Sequence, residues 1–259
     1  MKYAKVFVSF LLLAALPCSL VLQGQTVVGA YMKVSQERYM EYPEVEKEWK
    51  KYHQKAIEEG MQNGWQLWRN MHAGIHDPYQ YVTLQWYDNY EHAIKGTALD
   101  YMPEGVYSDE EWAALNLKTN ASRVYAYQEV AHLVIQGEEQ QPVKYLVVYQ
   151  MKTKPGMEQE YVKMEKEVAK RFADEFISRG WLAHWGVWRI WPYKEGQYRY
   201  TAVQGFSDAA QLDADRGAIE PSEVGLDQSM DEIMELMQNT RDIVGVEVWE
   251  LVDQVWPEE

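Results

Sequence analysis

The chain has a single cysteine, Cys18, and it falls inside an apolar leader. Beyond that leader there is no disulfide, no thiol nucleophile and no thiolate metal site, so the fold is held by its core. Basic residues are scarce. Lys and Arg number 25 against 40 Asp and Glu, a formal charge of -15. A surface of that sign repels phosphate, which argues against nucleic acid or an anionic membrane as partner. No later apolar run is long enough for a membrane span. A nucleophile elbow, a phosphate-cradling glycine loop and a dinucleotide fingerprint are also missing.

The leader, residues 1–24, reads as a secretory signal peptide. Lys2 and Lys5 form its positive start, Val6 to Leu16 its apolar stretch, and Leu22-Gln23-Gly24 a cleavage site. The expected location is therefore exported, periplasmic or extracellular. Losing Lys2 and Lys5 takes the charge from -15 to -17. Leu16 and Pro17 precede Cys18 where a lipid-attachment site wants small residues, so lipidation is not expected.

What the chain has in excess is aromatic surface, with 11 Trp and 19 Tyr. It also has a repeat. Shifted by about 119 residues, the sequence meets itself: Met32-Lys33 with Met151-Lys152, Tyr42 with Tyr161, and Glu46-Lys47-Glu48 with Glu165-Lys166-Glu167. After a one-residue insertion, Trp65 to Arg69 meets Trp185 to Arg189. Further on, Tyr79, Tyr81 and Gln85 meet Tyr198, Tyr200 and Gln204, and Glu129 is matched with Glu250. A period this long fits a duplicated domain rather than a solenoid.

Each copy predicts the same order of elements. First strands lie at 26–34 and 143–153. A helix over 37–60 buries Tyr42, Val45, Trp49 and Ala56 at helical spacing, and Met157, Tyr161, Met164, Val168 and Phe172 repeat the stripe. Gly60 and Gly180 fit C-caps. Trp-rich strands (64–71; 182–191) and Tyr-rich strands (79–87; 197–206) follow. Short helices and closing strands (123–135; 244–255) complete each copy, and Ser108 with Glu111 makes a capping box. The polar linker before Pro142 sets the expected units at 25–141 and 142–259.

Strand, helix, strand, strand, helix, strand is the ferredoxin-like order. The expected fold class is α+β: two tandem ferredoxin-like units whose antiparallel sheets close face to face into one intramolecular α/β barrel. This order, the duplication and the aromatic interior resemble the dimeric α/β-barrel superfamily. That group holds the antibiotic-biosynthesis-type and heme-degrading monooxygenases and the EthD-like and NIPSNAP-like proteins. The resemblance spans nearly all of residues 26–256 and rests on topology rather than a diagnostic motif. It implies a monomer with an internal pseudo-dimer, or a homodimer.

Strand alternation puts Trp65, Leu67 and Arg69 on one face, and Tyr79, Tyr81 and Gln85 likewise. Such mixed faces are expected to line the barrel, with the apolar faces (Trp68, Val82, Leu84, Trp86) under the helices. Gln85, Glu129, Arg189, Gln204, Tyr200 and Glu250 are then candidate ligand-binding groups. Alternatively each Arg pairs with a Glu across the barrel, since a buried charge needs a partner. The catalytic candidates are His53, Trp86, Arg69 and Tyr81, to position a substrate and move a proton. His53 stands where copy two is matched to Phe172, and Trp86 where it has Gly205. His53 is otherwise a satisfied core residue. His72 and His76 are four apart, but in a loop between strands, so no metal is expected. Heme-degrading relatives use a strand Trp and a helical His. Trp86 and His92 resemble that pair loosely, with shorter spacing and without the fuller motif, so no cofactor is expected.

The function that follows is an exported protein that binds a small apolar or aromatic molecule, with monooxygenase-like chemistry that needs no cofactor. The alternative is a non-catalytic secreted carrier or interaction module whose barrel is filled by its own side chains. A cavity of a few hundred cubic ångströms with converging polar groups distinguishes the two.

Overall fold

The apolar β-branched and aromatic runs form strands, and the charged stretches with one buried stripe form helices. In chain order these are β1 (Thr26–Val34), α1 (Tyr42–Glu58), β2 (Gly64–Asn70), β3 (Tyr81–Tyr87), α2 (Tyr90–Gly96), α3 (Asp109–Ser122) and β4 (Arg123–Gln136). The second half has β5 (Tyr145–Thr153), then α4 (Glu158–Met164), which runs through a π-helical turn (Glu165–Ala169) into α5 (Lys170–Ser178). It closes with β6 (His184–Ile190), β7 (Tyr200–Phe206), α6 (Ala209–Asp213), α7 (Met230–Thr240) and β8 (Arg241–Val255). The computed structural model describes residues 25–97, 104–193 and 196–258, so the expected signal peptide and Cys18 lie outside the described residues. Among the described residues no helix is long and apolar enough to cross a membrane.

Local chemistry ends the elements where the sequence predicts. Gly60 and Gly180 take φ of 69° and 71° after the long helices, a conformation that favours glycine. Ser108 and Glu111 cap α3 reciprocally, and Ser229 and Glu232 repeat the device on α7.

The eight strands close into one antiparallel ring, in the order β1-β3-β2-β8-β5-β7-β6-β4. Each half contributes four consecutive places in the same relative order, closing strand, first, third, second. The halves do not meet face to face as expected. They join edge to edge: β2 pairs with the far end of β8, and β6 with the far end of β4. The length of the closing strands makes this possible. Arg123 to His132 pair with β1 and Ala131 to Gln136 with β6, while Arg241 to Glu250 pair with β5 and Trp249 to Val255 with β2. Edges that each half would expose as unpaired N–H and C=O groups are thereby satisfied.

The strand faces are turned opposite to the sequence expectation. Trp65, Leu67 and Tyr81 pack with Tyr42 of α1, and Trp185, Val187, Tyr200 and Ala202 pack with Tyr161, Met164 and Ala173 of α4 and α5. Those faces lie under the helices. The inside of the ring holds Tyr31, Trp68, Val82, Leu146, Val148, Trp188 and Trp249, clusters to which no helix contributes. Alternation sorted the residues correctly, but polarity chose the wrong sign. The polar ends Arg69 and Gln85 belong to the helix-covered face, and the inner polar groups bond one another.

Register also corrects one matched pair. β1 and β5 correspond at a shift of 119, and Gly29 faces Glu129 while Val148 faces Glu247. The counterpart of Glu129 is therefore Glu247, not Glu250. By the same register Glu250 answers to His132.

Candidate functional site

The residues singled out from sequence do not assemble into one site. Glu129 and Trp86 face the inside of the ring. His53, Arg69, Tyr81, Gln85, Arg189, Gln204, Tyr200 and Glu250 lie on the outer faces of the strands or beneath the helices.

His53 is buried in α1, stacked 4.9 Å from Trp65 at 15°, with its Nδ1 3.0 Å from Gln62 Nε2. Burial lowers its pKa to about 3, so the ring is neutral. Tyr81 packs against Tyr42 at 4.8 Å, and burial raises its phenol to about 12. Gln85 accepts from the Tyr87 hydroxyl at 2.7 Å, and the Tyr200 hydroxyl donates to Glu158 at 2.7 Å. Arg69 is paired with Glu250, the clasp weighed as the alternative from sequence. Arg189 is exposed and faces His132 in register instead of a carboxylate. Trp86 donates from Nε1 to Gln66 at 3.1 Å and meets Trp188 edge-on at 5.4 Å. His92 sits on Tyr87, at the opposite face of β3, with Nε2 3.0 Å from the Gly60 carbonyl oxygen. Trp86 and His92 therefore share no pocket. His72 and His76 are exposed in the loop after β2.

Inside the ring, two tyrosine–glutamate clasps cross between the halves. The Tyr198 hydroxyl donates to Glu129 at 2.7 Å, joined by Tyr31 at 3.0 Å. The Tyr79 hydroxyl donates to Glu247, and Trp249 Nε1 joins it at 2.8 Å. Tyr79 and Tyr198 correspond under the repeat, so each half lends a phenol to the other half's carboxylate. Tyr79 and Tyr198 precede β3 and β7, where alternation no longer governs them, and both turn inward. Burial raises the Glu129 carboxyl, with the nearby Glu247 charge adding to the shift. These groups are satisfied by one another and serve to hold the ring.

A cavity with both apolar and polar walls lies elsewhere. A space of about 360 Å³ sits between the outer sheet face and the helices of the second half. Trp185, Ala173, Phe172, Phe176 and methionines from α7 form its apolar wall, and Glu165, Arg241, Gln204 and Tyr149 its polar groups. In the first half the same space is filled. Trp49 and Trp112 meet at 5.4 Å, Tyr52 stacks on Trp112, and the His53 ring covers Trp65.

One inserted residue accounts for much of the difference. The repeat shift is 119 at Tyr42 and Tyr161 but 120 at Gly60 and Gly180. The helix absorbs the extra residue as the π turn at Glu165–Ala169, a device found often at functional sites. Past that turn His53 corresponds to Ala173 rather than Phe172. A ring is replaced by a methyl group, and Trp185 is left facing open space.

The same turn begins at Glu165, the counterpart of Glu46. In the first half Glu46 Oε1 lies 3.2 Å from Arg123 Nε, with both side chains buried. Glu165 and Arg241, the matching pair, form no ion pair, and the Arg241 Nε is buried without an acceptor among the described residues. Burial raises Glu165 to about 7, and the nearby Tyr161 hydroxyl and Arg241 charge only partly oppose it. Glu165 can therefore hold or release a proton near neutrality. Sequence reasoning matched Glu165 to Glu46 without marking it. The change in shift within one helix was the available signal.

No protein-family model and no curated protein matches the sequence. Solved structures do resemble it. A candidate monooxygenase from Lactobacillus acidophilus NCFM superposes with a TM-score of 0.52 at 10% identity, covering 90% of this chain and 96% of its own. A candidate monooxygenase from Fusobacterium nucleatum subsp. nucleatum ATCC 25586 gives 0.54 at 10% identity, covering 90% and 94%. A heme-binding protein from Thermus thermophilus gives 0.47 at 10% identity, covering 89% and 92%. At these identities the likeness is one of fold alone. The sequence expectation of no cofactor is corrected here, because structures described as heme-binding and as chlorite dismutase are among those the chain resembles.

Proposed function

We propose that this chain binds a small, largely apolar molecule in the cavity of its second half, and that Glu165 exchanges a proton with it there. One observation carries the reading: a buried carboxyl and a half-buried arginine whose Nε is buried without an acceptor stand apart on the wall of a 360 Å³ space, whereas their counterparts pair. A buried donor left without an acceptor costs about 1–3 kcal/mol, which a ligand acceptor recovers. The volume lies in the range of small-molecule sites, and the mostly apolar wall with a few polar groups is their usual character. The fold likeness to candidate monooxygenases is consistent with oxidative chemistry on such a molecule.

A heme in this cavity meets no imidazole and no thiolate, since neither histidine nor cysteine lines it. Its oxygen and sulfur groups are Tyr149, Glu165, Gln204 and methionines. A histidine- or cysteine-ligated heme does not fit these residues.

The test is a thermal-shift screen of the full chain against a library of apolar and aromatic molecules, repeated on Ala173→Phe. Hits that raise Tm in the wild type and vanish in the filled variant support the reading. A library that shifts neither protein overturns it.

A further inference from the structure

The first half shows what chemical group its guanidinium holds. Arg123 is met by a carboxylate, Glu46, at 3.2 Å in a buried setting. Arg241 occupies the corresponding place at the start of β8, with Glu165 near but not bonded to it. Around them the wall is apolar: Phe172, Phe176, Met234 and Ile243. Met234 and Ile243 are each 47% exposed, so the cavity opens to solvent past an apolar lip.

We propose that the cavity takes an apolar molecule bearing one carboxylate, and that this carboxylate seats between Arg241 and Glu165. The inference rests on the proposed binding site and names its ligand class. The ligand carboxylate takes the position toward Arg241 that Glu46 has toward Arg123. A guanidinium supplies fork-like donors suited to a carboxylate. A doubly charged phosphate would put two negative charges into an apolar space against one cation, beside a carboxyl. A neutral ligand would leave the guanidinium without a counter-charge. Two carboxyl groups sharing one site cannot both be ionised cheaply, so Glu165 carries a proton when the ligand is seated and donates it as a hydrogen bond to the ligand oxygen. Binding is therefore coupled to proton uptake, strongest below neutrality and weakening as pH rises.

Calorimetry on the full chain with 2-naphthoate and its neutral isostere 2-naphthamide tests this at pH 6 and pH 8. The acid is expected to bind at least about tenfold more tightly than the amide at pH 6. Its advantage should fall by up to about tenfold per pH unit above neutrality, the limit for one coupled proton. Proton uptake should appear as a buffer-dependent binding enthalpy. Glu165→Gln should keep acid binding and flatten its pH dependence, and Arg241→Gln should make acid and amide equal. The wild-type comparison stands even where a variant does not fold. Equal or tighter binding of the amide at pH 6 overturns the carboxylate inference while leaving the site itself standing. An unchanged pH slope in Glu165→Gln overturns the proton coupling. Failure of both naphthalenes to bind overturns the inference as well, and the proposed site is then judged by the library screen alone.

Discussion

The two halves solve the same packing problem in different ways. Under α1 the space is closed by Trp49, Tyr52, His53 and Trp112, and its buried carboxylate Glu46 is held by Arg123. Under α4 and α5 one extra residue turns the helix, Ala173 stands where His53 does, and Glu165 and Arg241 remain apart. A ring of strands constrains both halves alike. Only the helix layer is free to differ, and the difference there leaves one half closed and the other hollow.

The comparison can be broken most sharply at the two arginines. Arg123→Met strands a buried carboxylate and should cost about 3–5 kcal/mol. Arg241→Met removes a guanidinium that has no ion pair among the described residues and should cost under about 1 kcal/mol. Urea denaturation measures both, and equal losses would remove the distinction between a closed and an open pair.

Next in size is an exchange of wall residues. Trp112→Ile gives the first half the residue that α7 has at the same distance from its cap, Ile233. It should cost about 3–4 kcal/mol through lost burial and a residual cavity. A gain in binding of apolar dyes would show that the first half has been hollowed. Unchanged stability would mean that the aromatic cluster does not close that half.

The clasps inside the ring should behave alike. Tyr79→Phe and Tyr198→Phe each delete a hydrogen bond to a carboxylate, worth about 1.5–3 kcal/mol. A clear inequality between them in thermal melts would show that the two crossings are not equivalent.

The effects of pH are spread over several pH units, and they run in opposite directions. Glu165 has a raised pKa, from 4.5 to about 7, so the folded state holds more protons than the unfolded state between those values. Its contribution to stability declines as pH rises through that window, by at most about 1.4 kcal/mol per pH unit, and is flat above it. His53 has a lowered pKa, from 6.5 to about 3, so the unfolded state takes the proton first as pH falls. Its contribution is fully present above about 6.5 and declines toward 3. Stability profiles of Glu165→Gln and His53→Gln should each lose one of these slopes. Persistence of the decline between pH 4.5 and about 7 in Glu165→Gln would detach it from that carboxyl.

Much of the architecture was legible in the residues. Period-three-and-four stripes at Tyr42, Val45 and Ala56 marked the helix, the two Trp-x-x-Trp-Arg strands marked the repeat, and Gly60 and Gly180 marked the ends. The strand faces were not legible, because Trp65 and Trp68 are equally apolar and both faces of the ring wall are covered. Nor were Tyr79 and Tyr198 readable as inward-facing. They sit just before their strands, where the side-chain period of two is lost.

The site shows the same division at finer scale. Glu46 and Glu165 are chemically identical and equally placed in the repeat, and a local reading gives both the same role. Sequence determines that the chain forms two like sets of four strands under acidic helices, because periodicity and turn chemistry act over a few neighbouring residues. Tertiary structure decides which carboxylate is paired. That depends on Arg123 or Arg241 arriving from about 77 residues away, and on whether one inserted residue is taken up in the helix as a π turn. Long-range packing of that kind separates the filled half from the hollow one.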